Sequence, residues 1–123
     1  AYKNNYKTFF IDIDGVIFKN SSRYFQPEWG KSNILEKNVN FIKNLKKNYN
    51  CQIILTTSRH SSYEEITKSE LKKYNIEYDQ IIFNLYHSKR IIINDFSETN
   101  KYPTCISINL QRDNDNLESY FEQ

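Results

Sequence analysis

The sequence predicts an α/β domain with a five-stranded parallel sheet flanked by helices. Three observations carry that expectation. Short apolar runs of strand length recur along the chain, and the first two connections between them have helical periodicity, as parallel crossovers require. Acidic or hydroxyl-bearing residues stand where three of the runs end, which is where open parallel sheets bind ligands.

The first run, residues 8–13, is almost continuously apolar, as a strand buried on both faces would be, and it leads into the turn pair Asp14-Gly15 and then Val16-Ile17-Phe18. Residues 19–31 read as a loop or small flap. From Asn33 the period becomes helical, with Leu35, Val39, Ile42, Leu45 and Tyr49 on one stripe and Asn33 with Glu36 as an N-terminal capping pair. Residues 51–56 form the second strand, ending in Thr57-Ser58-Arg59-His60. Ser62 with Glu65 then opens a helix whose apolar positions are Tyr63, Ile66, Leu71 and Tyr74, and Asn75 suits a left-handed C-terminal cap. Residues 80–83, 90–95 and 105–109 supply the remaining strands. The tail from Gln111 is polar and expected to be peripheral, with Leu117, Tyr120 and Phe121 docking as a short helix.

The 123 residues fit a single domain, 1–123, with hydrophobic (38%) and charged (26%) fractions ordinary enough to predict a folded core. A net charge of +2 from 17 basic and 15 acidic residues argues against nucleic acid as a partner. The pairs Lys46-Lys47 and Lys72-Lys73 read as solvated helix faces. No run approaches the roughly 18 apolar residues of a membrane span. Cys51 and Cys105 lack partners at metal-ligand spacing, so buried free thiols and a cytoplasmic location are expected. The sequence contains no Met, even at position 1, so the chain has lost its initiator or is a piece of a longer polypeptide.

Asp12-x-Asp14 at a strand end suits a hard divalent cation. Mg²⁺ is usually held by one or two carboxylates together with phosphate oxygens and water. Asp12 and Asp95 can supply carboxylates and Asp14 its backbone carbonyl, and the ion would offset repulsion between a carboxylate and an anionic phosphate. A calcium loop is excluded because Val16, Ile17 and Phe18 follow where oxygen ligands are needed.

The segment from Phe9 to Val16 resembles the first motif of the haloacid dehalogenase superfamily, an apolar strand followed by Asp-x-Asp-Gly. Ile53-Ile54-Leu55-Thr56-Thr57 is similar to its second motif and Ile91-Ile92-Ile93-Asn94-Asp95 to its fourth, in family order. The resemblance implies a Rossmann-like, Mg²⁺-dependent phosphatase in which Asp12 attacks phosphorus to form an aspartyl-phosphate and Asp14 serves as acid and then base. It implies Asp12, Asp14 and Asp95 as metal ligands and Thr57 as the phosphate-binding hydroxyl, or Thr56 if the strand ends one residue earlier. Ser58 and Arg59 would contact substrate. The third-motif cation falls on Lys89, with Arg90 as a substitute, and Asn94 or Glu98 would give outer-shell support. His60 and His87 read as surface loop residues.

Neither of the usual insertion points leaves room for a cap domain, so a capless enzyme is expected, with residues 23–29 as the best substitute lid. The run from Arg90 to Asp95, followed by that from Ile106 to Arg112, is also similar to small bacterial phosphatases of surface-polysaccharide biosynthesis, which points to a sugar phosphate or another small phosphorylated metabolite as substrate. The alternatives are a phosphatase or phosphotransferase acting on a macromolecular phosphate, and a degenerate binding domain.

Overall fold

The computed structural model describes residues 7–20, 33–48, 50–99 and 104–121. Strand β1 (Lys7–Asp12) pairs in parallel with β2 (Cys51–Thr56) along its whole length, with Asp12 opposite Thr56. A short β3 (Gln80–Ile82) adds to the other side of β2, giving a three-stranded parallel sheet in the order β1-β2-β3. The chain crosses from β1 to β2 through helix α1 (Glu36–Asn48). It crosses from β2 to β3 through a 3₁₀ turn (Ser61–Tyr63) and helix α2 (Glu64–Lys73).

Both helices pack on the same face of the sheet, as two successive right-handed crossovers in one direction require. On that face Ile11, Ile53 and Leu55 meet Val39 and Ile42 from α1 and Leu71 from α2 in one core cluster. The opposite face is open: Phe10 is 53% and Ile82 40% exposed. The apolar run of β1 is therefore covered on one face, not on both as its composition suggested.

The sequence placed strands at 90–95 and 105–109, and among the described residues neither segment forms one. The physical reason lies in the connections. A parallel pair needs a crossover of about a dozen residues, and the link after β3 is short and turns back at once. Asn84 takes a left-handed φ of 65°. The Arg90 guanidinium then donates back to the carbonyls of Tyr86 and Ser88. Ile91 and Ile93 are left 76% and 89% exposed. Cys105, expected to be buried, is also exposed, while Cys51 opens β2 as predicted and is half-buried.

Helix α1 carries the predicted stripe, with Val39, Ile42 and Leu45 buried and Leu35 buried just before it. Tyr49 and residues 23–29 lie outside the described residues. The cap of α1 is not Asn33. The Asp115 carboxylate accepts the N–H groups of Lys37 (3.1 Å) and Asn38 (2.8 Å), supplying the first turn with acceptors from the far end of the chain. The fully buried Asn38 donates to the carbonyls of Val16 and Asn114 and accepts the N–H of Leu117. The tail expected to be peripheral is thus a strap across α1. Its second 3₁₀ turn (Leu117–Tyr120) buries Leu117, and the Phe121 ring packs between those of Phe9 and Phe41.

At α2 the predicted C-terminal cap is present: Asn75 has φ 58°, its N–H reaches the Lys72 carbonyl, and Ile76 N–H reaches that of Leu71. The predicted capping box at Ser62 and Glu65 is absent. His60 Nδ1 accepts the Ser62 N–H and caps the 3₁₀ turn instead. Among the described residues no helix is long and apolar enough to cross a membrane.

Two outcomes follow from these contacts. Asn38→Ala removes the partners of two part-buried carbonyls and of the buried Leu117 N–H, so urea unfolding should show a loss of about 2–4 kcal/mol with unchanged helix content in the surviving fold. Asp79 is held below the usual carboxylate range, first by its hydrogen bond from Lys46 and then by the Ile53 N–H. A depressed folded pKa gives stability above the unfolded value of about 4 that is lost as pH falls through the folded value. The wild-type advantage over Asp79→Asn in urea should therefore shrink as the pH is lowered from about 5.5 to about 3.

Candidate functional site

The end of β1 is a tight hairpin-like loop. Ile13 N–H still bonds across to the Thr56 carbonyl, and the N–H groups of Ile17 and Phe18 both return to the Ile13 carbonyl. Gly15 closes the loop with φ 97°, a conformation that L side chains rarely adopt. A Cβ at that position would also meet Arg112 Cγ at 3.4 Å. The strap reaches this point too, since Asp113 N–H donates to the Gly15 carbonyl and the Asp113 carboxylate accepts Asn20 N–H. The loop that carries the two aspartates is held from both sides.

The two carboxylates occupy different surroundings. The Asp14 side chain is 16% exposed and lies in the fork of Arg59, whose Nε donates to Oδ2 at 2.9 Å and Nη2 to Oδ1 at 2.8 Å. The remaining nitrogen, Nη1, donates to Thr67 Oγ1 (2.9 Å) and Glu70 Oε1 (3.0 Å) on α2. The Phe18 ring lies 5.6 Å from the guanidinium carbon. Arg59 is 0% exposed and Glu70 4%. Burial works against the cation, but the hydrogen bonds and charge of Asp14, followed by those of Glu70, outweigh it and raise its pKa.

This network corrects the expectation that Arg59 and Ser58 both face substrate: Arg59 is enclosed, and only Ser58 remains half-buried at the strand end. It also explains α2. The buried positions of that helix are Thr67, Glu70 and Leu71, whereas Ile66, expected in the apolar stripe, is 43% exposed. The helix presents a partly polar face to the interior because a guanidinium lies beneath it.

Asp12 is solvent-accessible at the end of β1, yet surrounding protein desolvates it and raises its pKa. Asp14 pushes in the same direction, while Arg90 above all, and more weakly the Ile13 N–H and His87, oppose it. Arg90, the substitute for Lys89 in the sequence reading, is therefore the cation that acts most strongly on Asp12 among the described residues. Its Nη2 also lies 3.5 Å from Ser58 Oγ. His87, read from sequence as an ordinary loop residue, belongs to the same surroundings.

Of the two threonines, Thr57 is 1% exposed and its hydroxyl accepts Arg59 N–H at 3.0 Å. Thr56 is only half-buried and stands directly across from Asp12 in the ladder. Asp95 is not brought to this cluster. Its carbonyl accepts the Thr104 hydroxyl at 2.6 Å, and Asn94 donates to the Thr104 carbonyl, in a segment without strand structure. Among the described residues no three His, Cys, Asp or Glu side chains converge on one point. What remains for a hard cation is the Asp12 carboxylate beside the Asp14 backbone, a partial set that suits an ion completing its shell with phosphate and water.

No family model matches the chain, and no curated protein matches it. A chain in the structure of a Pnkp1/Rnl/Hen1 complex shares the fold with TM-score 0.57 and 20% identity, over 74% of this chain and 32% of that one. This chain thus spans about a third of that protein's length. A crystal structure of a Vibrio cholerae protein matches with TM-score 0.53 and 16% identity, over 71% of this chain and 79% of its own. At these identities the likeness is one of fold.

Removing the buried cation should reveal how strongly the site depends on it. Arg59→Met leaves Asp14 and Glu70 facing each other without a counter-charge and should cost about 3–5 kcal/mol in chemical denaturation. Lys68→Met, which breaks only the exposed pair with Glu64, should leave the midpoint unmoved.

Proposed function

We propose that the chain is a Mg²⁺-dependent phosphomonoester hydrolase of the haloacid dehalogenase type, acting on a sugar phosphate or another small phosphorylated metabolite. The observation that carries this reading is the contrast between the two aspartates. Asp12 is accessible and faces the Arg90 charge, while Asp14, two residues on, is fixed beside it in the Arg59 fork.

In this reading an Asp12 carboxylate oxygen attacks phosphorus, and the bond from phosphorus to the leaving oxygen breaks as Asp14 gives that oxygen a proton. Water then attacks the aspartyl-phosphate, Asp14 takes the water's proton, and inorganic phosphate leaves with the Asp12 carboxylate restored. Thr56 and Ser58 orient the phosphoryl oxygens, and Arg90 attracts the anion. Mg²⁺, held by the Asp12 carboxylate and the Asp14 carbonyl, supplies positive charge against which a carboxylate can approach a phosphate.

A second reading, an anion-binding domain without turnover, draws on two observations: both Asp14 oxygens are occupied by Arg59, and Asp95 lies outside the cluster. Phosphate release from a panel of phosphomonoesters, with and without Mg²⁺, separates the two. The hydrolase should require Mg²⁺, and Asp12→Asn should reduce its turnover by roughly a thousandfold or more. Phosphate binding without release from any substrate would sink the hydrolase and favour the binding domain.

A further inference from the structure

We propose that Arg59 is a positioning residue for Asp14: its fork sets the carboxylate in one orientation for both proton transfers, and helix α2 holds the fork through Glu70 and Thr67. The inference rests on the hydrolase reading and adds to it a control point outside the reacting groups. Several contacts fix the guanidinium. Asp14 takes Nε and Nη2, Thr67 and Glu70 take Nη1, and Phe18 lies against it. Its backbone is fixed as well, with Arg59 N–H on Thr57 Oγ1 and the Arg59 carbonyl accepting Asn84 N–H.

A side-on fork uses one lone pair on each Asp14 oxygen and leaves a second on each. The carboxylate can therefore deliver and recover a proton without rotating away from its partner. Preorganisation of this kind lowers the entropic cost of the transfer and contributes nothing to holding the substrate. The polar residues on the buried side of α2 then have a functional reason as well as an electrostatic one. An enclosed ion pair serving stability alone would show no preference between substrates.

Leaving-group chemistry tests the difference. An alkyl phosphate needs its leaving oxygen protonated, whereas p-nitrophenyl phosphate does not, and both need Asp14 to hydrolyse the aspartyl-phosphate. With Mg²⁺ present, Arg59→Lys should lower kcat on the alkyl ester by roughly a hundredfold at unchanged KM. On the aryl ester the first turnover of nitrophenolate should keep its wild-type rate, followed by a slow steady state with phosphoenzyme trapped. Adding Arg59→Lys to Asp14→Asn should change neither phase, because the arginine acts only through the aspartate.

Equal losses in the first turnover of the two esters, a slowed first turnover of the aryl ester, or an additive loss in the Asp14→Asn background would overturn the inference. Should circular dichroism show Arg59→Lys to be unfolded, Glu70→Gln loosens the same guanidinium with little change in shape. It should give the same ester bias at smaller amplitude, and an unbiased loss there would also count against the proposal. Absence of turnover in the wild-type chain sinks the hydrolase reading and this inference together; turnover with unbiased losses sinks this inference alone.

Discussion

The structure is organised around one enclosed cation. The Arg59 guanidinium lies beneath α2, and each of its hydrogen-bonding nitrogens has an acceptor. A buried charge is tolerated only when it is paired and hydrogen-bonded, so its partners are constrained in turn. Asp14 must sit at the end of β1, α2 must turn Thr67 and Glu70 inward, and Phe18 must close the remaining side. The loop from Ile13 to Phe18 and the orientation of α2 are consequences of satisfying that one group.

Among the described residues, Arg59 faces two carboxylates and Asp12 adds a third at the surface, within reach of the charge of Arg90 and, more weakly, of His87. Burial and the neighbouring Asp14 both penalise the charged form of Asp12. A bound cation would relieve that penalty, a physical reason for the proposed Mg²⁺ that does not depend on sequence motifs.

The parts of this design legible in the sequence are those encoded locally. Continuous apolar runs located β1 and β2, the 3.6-residue period located α1, and Asn75 announced the end of α2 because few other residues accept its left-handed φ. Asp12-x-Asp14-Gly15 marked the loop. What escaped was carried by contacts between distant positions. Asp115 caps α1 from 77 residues away, a partner that no local capping pattern can show. The resemblance at the second strand end makes Arg59 a substrate contact; the signal that corrects this is the spacing of Thr67 and Glu70, which share a helix face with Leu71. Residues 90–95 failed as a strand for the opposite reason. Their composition favours one, but no crossover helix delivers them to the edge of β3.

That undelivered segment has a consequence for the molecule in a crowded solution. Ile91, Ile92 and Ile93 are exposed, as are Phe96 and Ile106, in a chain whose β3 is only three residues long. Consecutive β-branched side chains with free backbone groups are templates for strand addition by another molecule. Lys89 and Arg90 on one side and Asp95 on the other bracket the triplet with charge, the arrangement by which natural sequences restrain unavoidable sticky stretches. Arg90 therefore stands in two roles at once, as the cation facing Asp12 and as a gatekeeper, and losing it would expose the chain to self-association as well as weakening the site.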